Sequence, residues 1–295
     1  MIGILTDSAC DLPKEILNQY NIQVIPIKIK MGTSQFSDGV NLSPDLFYRQ
    51  LENPSNKPET EPPSIDDFIS FYREMLKSYD EIISIHVGSA FSKTVYNANE
   101  AVHLGHKSFF AERVKDKKYD PFKIRVIDSR NASIGLGLQV LRAAQLLHRG
   151  TGFNDLCESV ESVTDKVRLI FTPRDLTWLN RSGRLTGIKY VIASLVGLKP
   201  ILLIQNGKSD RLDTVRGHDH AVQALVDEAT KLTATANSWY LGVAWAAPVA
   251  ERANNPVAKA MSSSTRSSTG YFEATIGSTI GAHCGPETVG IALLA

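Results

Sequence analysis

Apolar positions along the chain switch between two periods, and the switches outline the elements. Residues 2–6 are a short apolar run that reads as a strand buried on both faces. Asp11 is placed as a helix N-cap, with Pro13 and Glu15 suiting a first turn and Ile16, Leu17 and Tyr20 forming its stripe. Residues 23–30 alternate like a strand, with Pro26 pointing to an edge or an irregular pairing. Residues 31–60 carry little periodicity beyond an amphipathic piece at 44–51, and 53–63 read as loop. Ser64-Ile65-Asp66-Asp67 resembles a capping box, and Phe68, Ile69, Tyr72, Met75, Leu76 and Tyr79 follow at helical spacing. A strand at 81–87, a helix at 92–111, a strand at 123–127 and an amphipathic helix at 134–148, ended by Gly150, complete the first half.

That order is β-α-β-α-β-α, which implies right-handed crossovers and a mostly parallel sheet. A boundary near residue 151 divides the chain into α/β domains at 1–151 and 152–295. The second half reads as a helix at 154–166, a strand at 167–171 and helical pieces at 177–179 and 189–195. Strands at 199–204 and 208–215 flank Asn206-Gly207, a strong hairpin signal. A helix at 220–232, a strand at 239–245, a helix at 249–261 and strands at 271–276 and 289–294 follow. The expected fold class is α/β, with a mixed C-terminal sheet that includes the antiparallel hairpin.

Composition narrows the function classes. The 295 residues are 43% apolar and 21% charged, the make-up of a globular protein with a sizeable core. Lys+Arg 32 against Asp+Glu 31 leaves +1, which argues against nucleic acid as a partner held by phosphate neutralisation. Three scattered cysteines, Cys10, Cys157 and Cys284, form neither a disulfide framework nor a C-x-x-C zinc pair. With no signal-peptide pattern and no membrane-length apolar run, the expected location is cytoplasmic.

Most chemical motifs fail on inspection. Gly207-Lys208-Ser209 lacks the first glycine of a phosphate loop. Gly135-Leu136-Gly137 lacks the third glycine of a dinucleotide fingerprint, so helix packing explains it better than a nicotinamide cofactor. There is no G-x-S-x-G elbow and no H-E-x-x-H. His218-Asp219-His220 reads as the polar start of a helix rather than a metal site, and His283-Cys284 places base and thiol too close in sequence to converge. What remains is three small-residue loops after strands, at 60–64, 88–92 and 281–286, whose hydroxyls and N–H groups suit an anion or serve as plain helix caps.

The same loops carry a resemblance to the DegV family, the bacterial fatty-acid-binding proteins, and it spans essentially the whole chain. Thr6-Asp7-Ser8-Ala9-Cys10-Asp11-Leu12-Pro13 has the form T-D-S-x-x-D-L-P. Thr60–Ser64 resembles T-S-Q-P-S, with Glu61 and Pro62 as departures. Ser89–Thr94 resembles S-x-L-S-G-T with Lys93 for Gly, and residues 182–187 (SGRLTG) resemble S-G-R-I-T-G. Lys199-Pro200-Ile201-Leu202, Asn206-Gly207-Lys208 and Val215-Arg216 are also similar to the family. Residues 280–286 (IGAHCGP) resemble I-G-A-H-T-G-P, with Cys284 and then Glu287 departing.

The resemblance implies one long-chain fatty acid in a tunnel between two domains. Its carboxylate would be held by Thr60, Ser89, Ser92 and His283, with Arg184 and Arg216 near the head group. It implies a carrier in phospholipid metabolism that performs no chemistry, needs no cofactor or metal, and presents the acid to a fatty acid kinase for acyl-phosphate formation. Transient contact with a membrane surface belongs to the same expectation. Phe68, Phe71, Phe91 and Ile280, in or beside the loops, are expected tunnel residues. The competing reading is a serine esterase or acyltransferase using Ser89 or Ser92 with His283, for which the sequence offers no acid to orient the histidine.

Overall fold

The computed structural model describes residues 1–53, 55–184, 197–234, 238–248, 254–261 and 268–295. In chain order the first half runs β1 (Ile2–Asp7), a single 3-10 turn (Ser8–Cys10), α1 (Lys14–Gln19), β2 (Gln23–Ile25), β3 (Lys28–Met31), β4 (Ser34–Ser37), α2 (Pro44–Leu51), β5 (Glu59–Glu61), α3 (Ile65–Met75), β6 (Glu81–His86), α4 (Thr94–Lys115), β7 (Lys123–Asp128) and α5 (Ser133–His148). Strands β2-β1-β6-β7 form a parallel sheet. Ser64 and Asp67 close a reciprocal capping box at the start of α3.

The alternating run at 23–30 is two strands. Pro26 has no N–H to give a ladder, and the chain changes sheet there. β2 stays parallel beside β1, whereas β3 turns into a small antiparallel sheet of order β4-β3-β5. That sheet includes β5 inside a segment expected to be loop. Its alternation turns Thr60 inward and leaves Glu59 and Glu61 exposed.

The second half runs α6 (Phe153–Glu161), β8 (Arg168–Thr172), α7 (Leu176–Ser182), β9 (Leu198–Gln205), β10 (Lys208–Arg216), α8 (His218–Thr233), β11 (Tyr240–Trp245), α9 (Pro256–Met261), β12 (Gly270–Thr275), α10 (Ser278–Cys284) and β13 (Val289–Leu294). A mixed sheet of order β10-β9-β8-β13-β11-β12 carries antiparallel pairs throughout except for parallel β11 and β12. At the β9–β10 turn Asn206 and Gly207 have φ of 52° and 71°, the backbone an Asn-Gly hairpin requires. The expected helical piece at 189–195 and the first residues of the helix at 249–261 lie outside the described residues.

Three expectations are corrected. Helix α5 is not amphipathic over its first half. Residues 133–141 are buried all round because the helix lies between the two large sheets. Asp11 is not the N-cap of α1 but the residue that ends the 3-10 turn. It has a left-handed backbone, Pro13 holds the N-cap position, and the carboxylate is buried. Residues 281–286 are not simply a loop, because α10 occupies 278–284 and Gly285 ends it at φ 79°. No helix among the described residues is long and apolar enough to cross a membrane.

Candidate functional site

A cavity of about 450 Å³ opens where α5, α10, the mixed sheet and the loop after β6 meet. Ile134 of α5 lines it, as do Leu169, Phe171 and Ile204 of the mixed sheet and Phe91 and Ile280 from the loops. Thr60, Ser89, Ser92, Lys93, Arg184 and His283 supply polar groups to the same lining. Five of the six site residues expected from sequence therefore come to one cavity. The sixth, Arg216, does not. It ends edge strand β10, is exposed, and its carbonyl accepts a hydrogen bond from His220 Nδ1 at 2.8 Å.

His283 stands on the last turn of α10 with Nε2 2.9 Å from Thr60 Oγ1. Nδ1 is buried and has no hydrogen-bond partner among the described residues. Burial, reinforced by the positive charges of Arg184 and Arg181, lowers the His283 pKa to about 4, so the ring is neutral near pH 7. A neutral imidazole and a hydroxyl hold two protons between them, and their mutual bond uses one. If Nε2–H donates to Thr60, the hydroxyl proton is free. If Thr60 donates to Nε2, the proton on Nδ1 is free. Either way, the pair offers one further donor.

The serines are held differently. Ser89 Oγ donates to Asp128 Oδ2 at 2.6 Å and its N–H bonds Asp128 Oδ1 at 3.1 Å, so its hydroxyl is left with lone pairs to offer. Ser92 Oγ lies 2.8 Å from Thr94 Oγ1 and accepts from the Thr94 N–H, a local turn bond just ahead of α4, whose N-cap position is Lys93. Lys93 and Arg184 are exposed at the edge of the lining, and Arg184 Nη1 donates to the Ser182 carbonyl at 3.0 Å. Residues 185–187 of the resembling stretch lie outside the described residues.

This geometry does not assemble a nucleophile and base. Neither serine bonds His283, and no carboxylate touches its ring among the described residues. An Asp–His–Ser chain does exist elsewhere. Asp7 Oδ2 is 3.0 Å from His86 Nδ1, and His86 Nε2 is 2.6 Å from Ser84 Oγ, which meets Tyr72. Every member is sealed in the core at 0% exposure. Asp7 there accepts the Ala9 and Val87 N–H groups, joining two backbones that line the cavity.

Other sequence candidates resolve into packing. A Cβ on Gly137 would fall 2.6 Å from the Cys10 carbonyl, and one on Gly135 would collide with Asn131, so these glycines admit close neighbours. Burial pushes the Cys284 thiol up to about 12, which leaves it protonated and unreactive. Among the described residues no group of three His, Cys, Asp or Glu side chains could hold a metal. Phe68 and Phe71 do not line the cavity. Helix α3 packs on the other face of the parallel sheet, where Phe68 fills a separate core and Phe71 borders a surface groove.

Sequence reasoning missed the residues that hold α10 in place. Asp11 Oδ1 accepts the Gly277 N–H at 2.8 Å while Oδ2 accepts from Ser133. Asp38 Oδ2 accepts from Thr279 Oγ1 at 2.6 Å and from its N–H, and Tyr48 donates to the Ile276 carbonyl at 2.8 Å. The Gly281 position is close to Phe47 and Tyr48, 2.8 Å for a notional Cβ, so only glycine lets α10 lie this near α2. No local pattern marks carboxylates whose partners are some 240 to 270 residues away.

A family model described as "uncharacterised protein, DegV family" matches residues 1–295. A DegV domain-containing protein of Caldanaerobacter subterraneus subsp. tengcongensis is 29% identical over 290 residues, covering 98% of this chain and 97% of its own. The crystal structure of DegV from Bacillus subtilis, described as a fatty acid binding protein, superposes with a TM-score of 0.83 at 26% identity, covering 99% and 98% of the two chains. A Thermus thermophilus DegV family protein, whose structure is described by its fatty acid binding, gives a TM-score of 0.85 at 24% identity, covering 100% and 99%. With the family model matched from the first residue to the last, this chain belongs to the DegV family.

Proposed function

We propose that the protein is a carrier that binds one long-chain fatty acid in this cavity, between α/β units at 1–151 and 152–295. A separate fatty acid kinase then converts the presented carboxylate to an acyl-phosphate. The observation that carries the reading is the Thr60–His283 pair, a neutral donor set inside a largely apolar cavity. Burying an acyl tail gains about 0.8 kcal/mol per CH₂. Taking the carboxylate in with it is costly unless hydrogen bonds replace its water, and each bond to a charged group returns about 1.5–3 kcal/mol. The proton left over on the Thr60–His283 pair serves that purpose, with Arg184 and Lys93 adding positive charge at the exposed edge. Ser89, whose hydroxyl proton is committed to Asp128, shapes the wall beside the head group and is not a donor to it. The fatty-acid-binding relatives from Bacillus subtilis and Thermus thermophilus support the ligand class.

In this reading the kinase approaches the head group at the exposed edge of the lining, where Lys93 and Arg184 lie. Transient contact with a membrane surface, where acyl chains reside, fits the same role. The carrier has no chemistry of its own in this reading. Mass spectrometry of an organic extract of the denatured protein tests it. A stoichiometric fatty acid is expected, and addition of a fatty acid kinase with ATP should then yield acyl-phosphate. An empty extract, with added palmitate and oleate also failing to bind, would overturn the proposal.

A further inference from the structure

On β13 and β11 the two faces of the mixed sheet carry side chains of different size over residues 289–293 and 241–244. On β13 the face toward α8 and α9 carries Val289, Ile291 and Leu293, whereas the cavity face begins with Gly290 and Ala292. On β11 the same contrast separates Leu241 and Val243 from Gly242 and Ala244. A fully buried strand ordinarily carries branched side chains on both faces. The small ones therefore need a reason.

For Gly242 the reason is packing. A Cβ there would fall 3.0 Å from the Phe272 ring and 3.3 Å from the Ile134 Cβ, so helix α5 occupies that space. Gly290 is different. The three atoms nearest its notional Cβ all belong to neighbouring β8, Phe171 Cβ at 3.2 Å, the Ile170 carbonyl at 3.4 Å and Leu169 Cδ1 at 3.9 Å, and none comes from helix α5. Gly290 pairs directly with Ala244, and both line the cavity. Beside them Phe171, Leu169 and Ile204 are large. The wall is thus stepped, deep over β13 and β11 and shallow over β8 and β9.

We infer that the Ala244–Gly290 cross-strand pair is the specificity-determining wall of the cavity, the recess that admits the length of the acyl chain. The inference rests on the fatty-acid reading given above. Ala244 is the position to test, because it is fully buried, lies on a strand, and tolerates a size series without a positive φ. Valine adds two carbons to alanine and displaces about two methylenes of a chain as long as stearate. At about 0.8 kcal/mol for each, affinity for that chain falls about 15-fold.

The experiment is a binding titration of laurate, myristate, palmitate, stearate and arachidate against the wild-type protein and its Ala244→Gly, Ala244→Val and Ala244→Leu variants. Stearate affinity should fall about 15-fold in the Val variant and further in the Leu variant, with laurate unchanged. The Gly variant should hold or extend the upper length limit, and it keeps the test alive if the Leu variant does not fold. Val243→Ala, on the opposite face of the same strand, should lower the melting temperature and leave the length profile alone. If wild type binds and all Ala244 variants share its profile, or if Val243→Ala shifts the profile as far as Ala244→Val does, the inference fails while the fatty-acid reading stands. If wild type binds none of the acids, the fatty-acid reading fails and takes the inference with it.

Discussion

Thr60 and His283, 223 positions apart in sequence, meet at 2.9 Å inside the cavity. The first sits on a three-residue edge strand and the second on the last turn of a seven-residue helix. Neither element would persist alone. Their meeting depends on the Asp11, Asp38 and Tyr48 hydrogen bonds that anchor the start of α10.

Substitutions at the pair should separate affinity from folding. Thr60→Val keeps the shape and removes the hydroxyl, and one hydrogen bond to a carboxylate is worth about 1.5–3 kcal/mol. We expect a fatty-acid Kd raised roughly 10- to 100-fold with the melting temperature little changed. Isothermal titration with palmitate checks it, and an unchanged Kd would remove Thr60 from the site.

His283 should report the ligand through its titration. Its folded pKa of about 4 lies below the ordinary 6.5. Its stabilising contribution is therefore whole above pH 6.5 and lost as pH falls toward about 4, where the unfolded chain holds the extra proton. A bound carboxylate stabilises the imidazolium, so binding should raise this pKa and take up protons near pH 5. Ring carbon shifts in labelled protein, followed with and without palmitate, give both values. A pKa unmoved by ligand would place the carboxylate elsewhere.

Asp11 should impose the opposite slope. Burial pushes its carboxyl up from 3.8 to about 8, although Ser133 and Gly277 pull it down in part. The folded protein keeps a proton that the unfolded chain releases near pH 3.8. That contribution is whole below 3.8, declines as pH rises, and is lost through about 8. Asp11→Asn imitates the protonated form. Urea unfolding should show wild-type stability declining more steeply than that of the variant between about pH 5 and pH 8. Parallel curves would show that Asp11 is ionised in the fold.

The β9–β10 turn should be sensitive out of proportion to its exposure. The Gly207 N–H donates to the Arg130 carbonyl at 2.7 Å, and Arg130 Nη1 donates to Asn206 Oδ1 at 3.1 Å, so the hairpin tip docks beside the loop after β7. Gly207→Ala, at φ 71°, should cost about 1–2 kcal/mol in denaturant unfolding. A loss within experimental error would show that the turn relaxes.

Much of the fold is readable from the chain because its signals are local. The α3 capping box, the Asn206-Gly207 hairpin and the amphipathic stretch of α2 are each written in a few adjacent residues. The α10 helix is not, since Ser278-Thr279-Ile280-Gly281-Ala282 holds two hydroxyls and a glycine and has poor helix propensity. It forms because Asp11 and Asp38 hold its first residues. The pattern of α5, read as amphipathic, likewise misleads, because its apolar first half is understood only once a sheet is seen on either side. At the site, resemblance named the loops, and tertiary structure sorted them. Thr60 and His283 touch, Ser89 and Ser92 bond elsewhere, and Arg216 stays on the edge strand away from the cavity.

The most direct test of the account compares palmitate with hexadecanol and methyl palmitate in calorimetric titration of the ligand-stripped protein. The three share a tail and differ at the head. A carboxylate bound at Thr60 and His283 should make palmitate the tightest by at least about tenfold, and Thr60→Val should narrow that gap. Equal affinities for all three, unchanged in the variant, would contradict it and leave a cavity that reads only the tail.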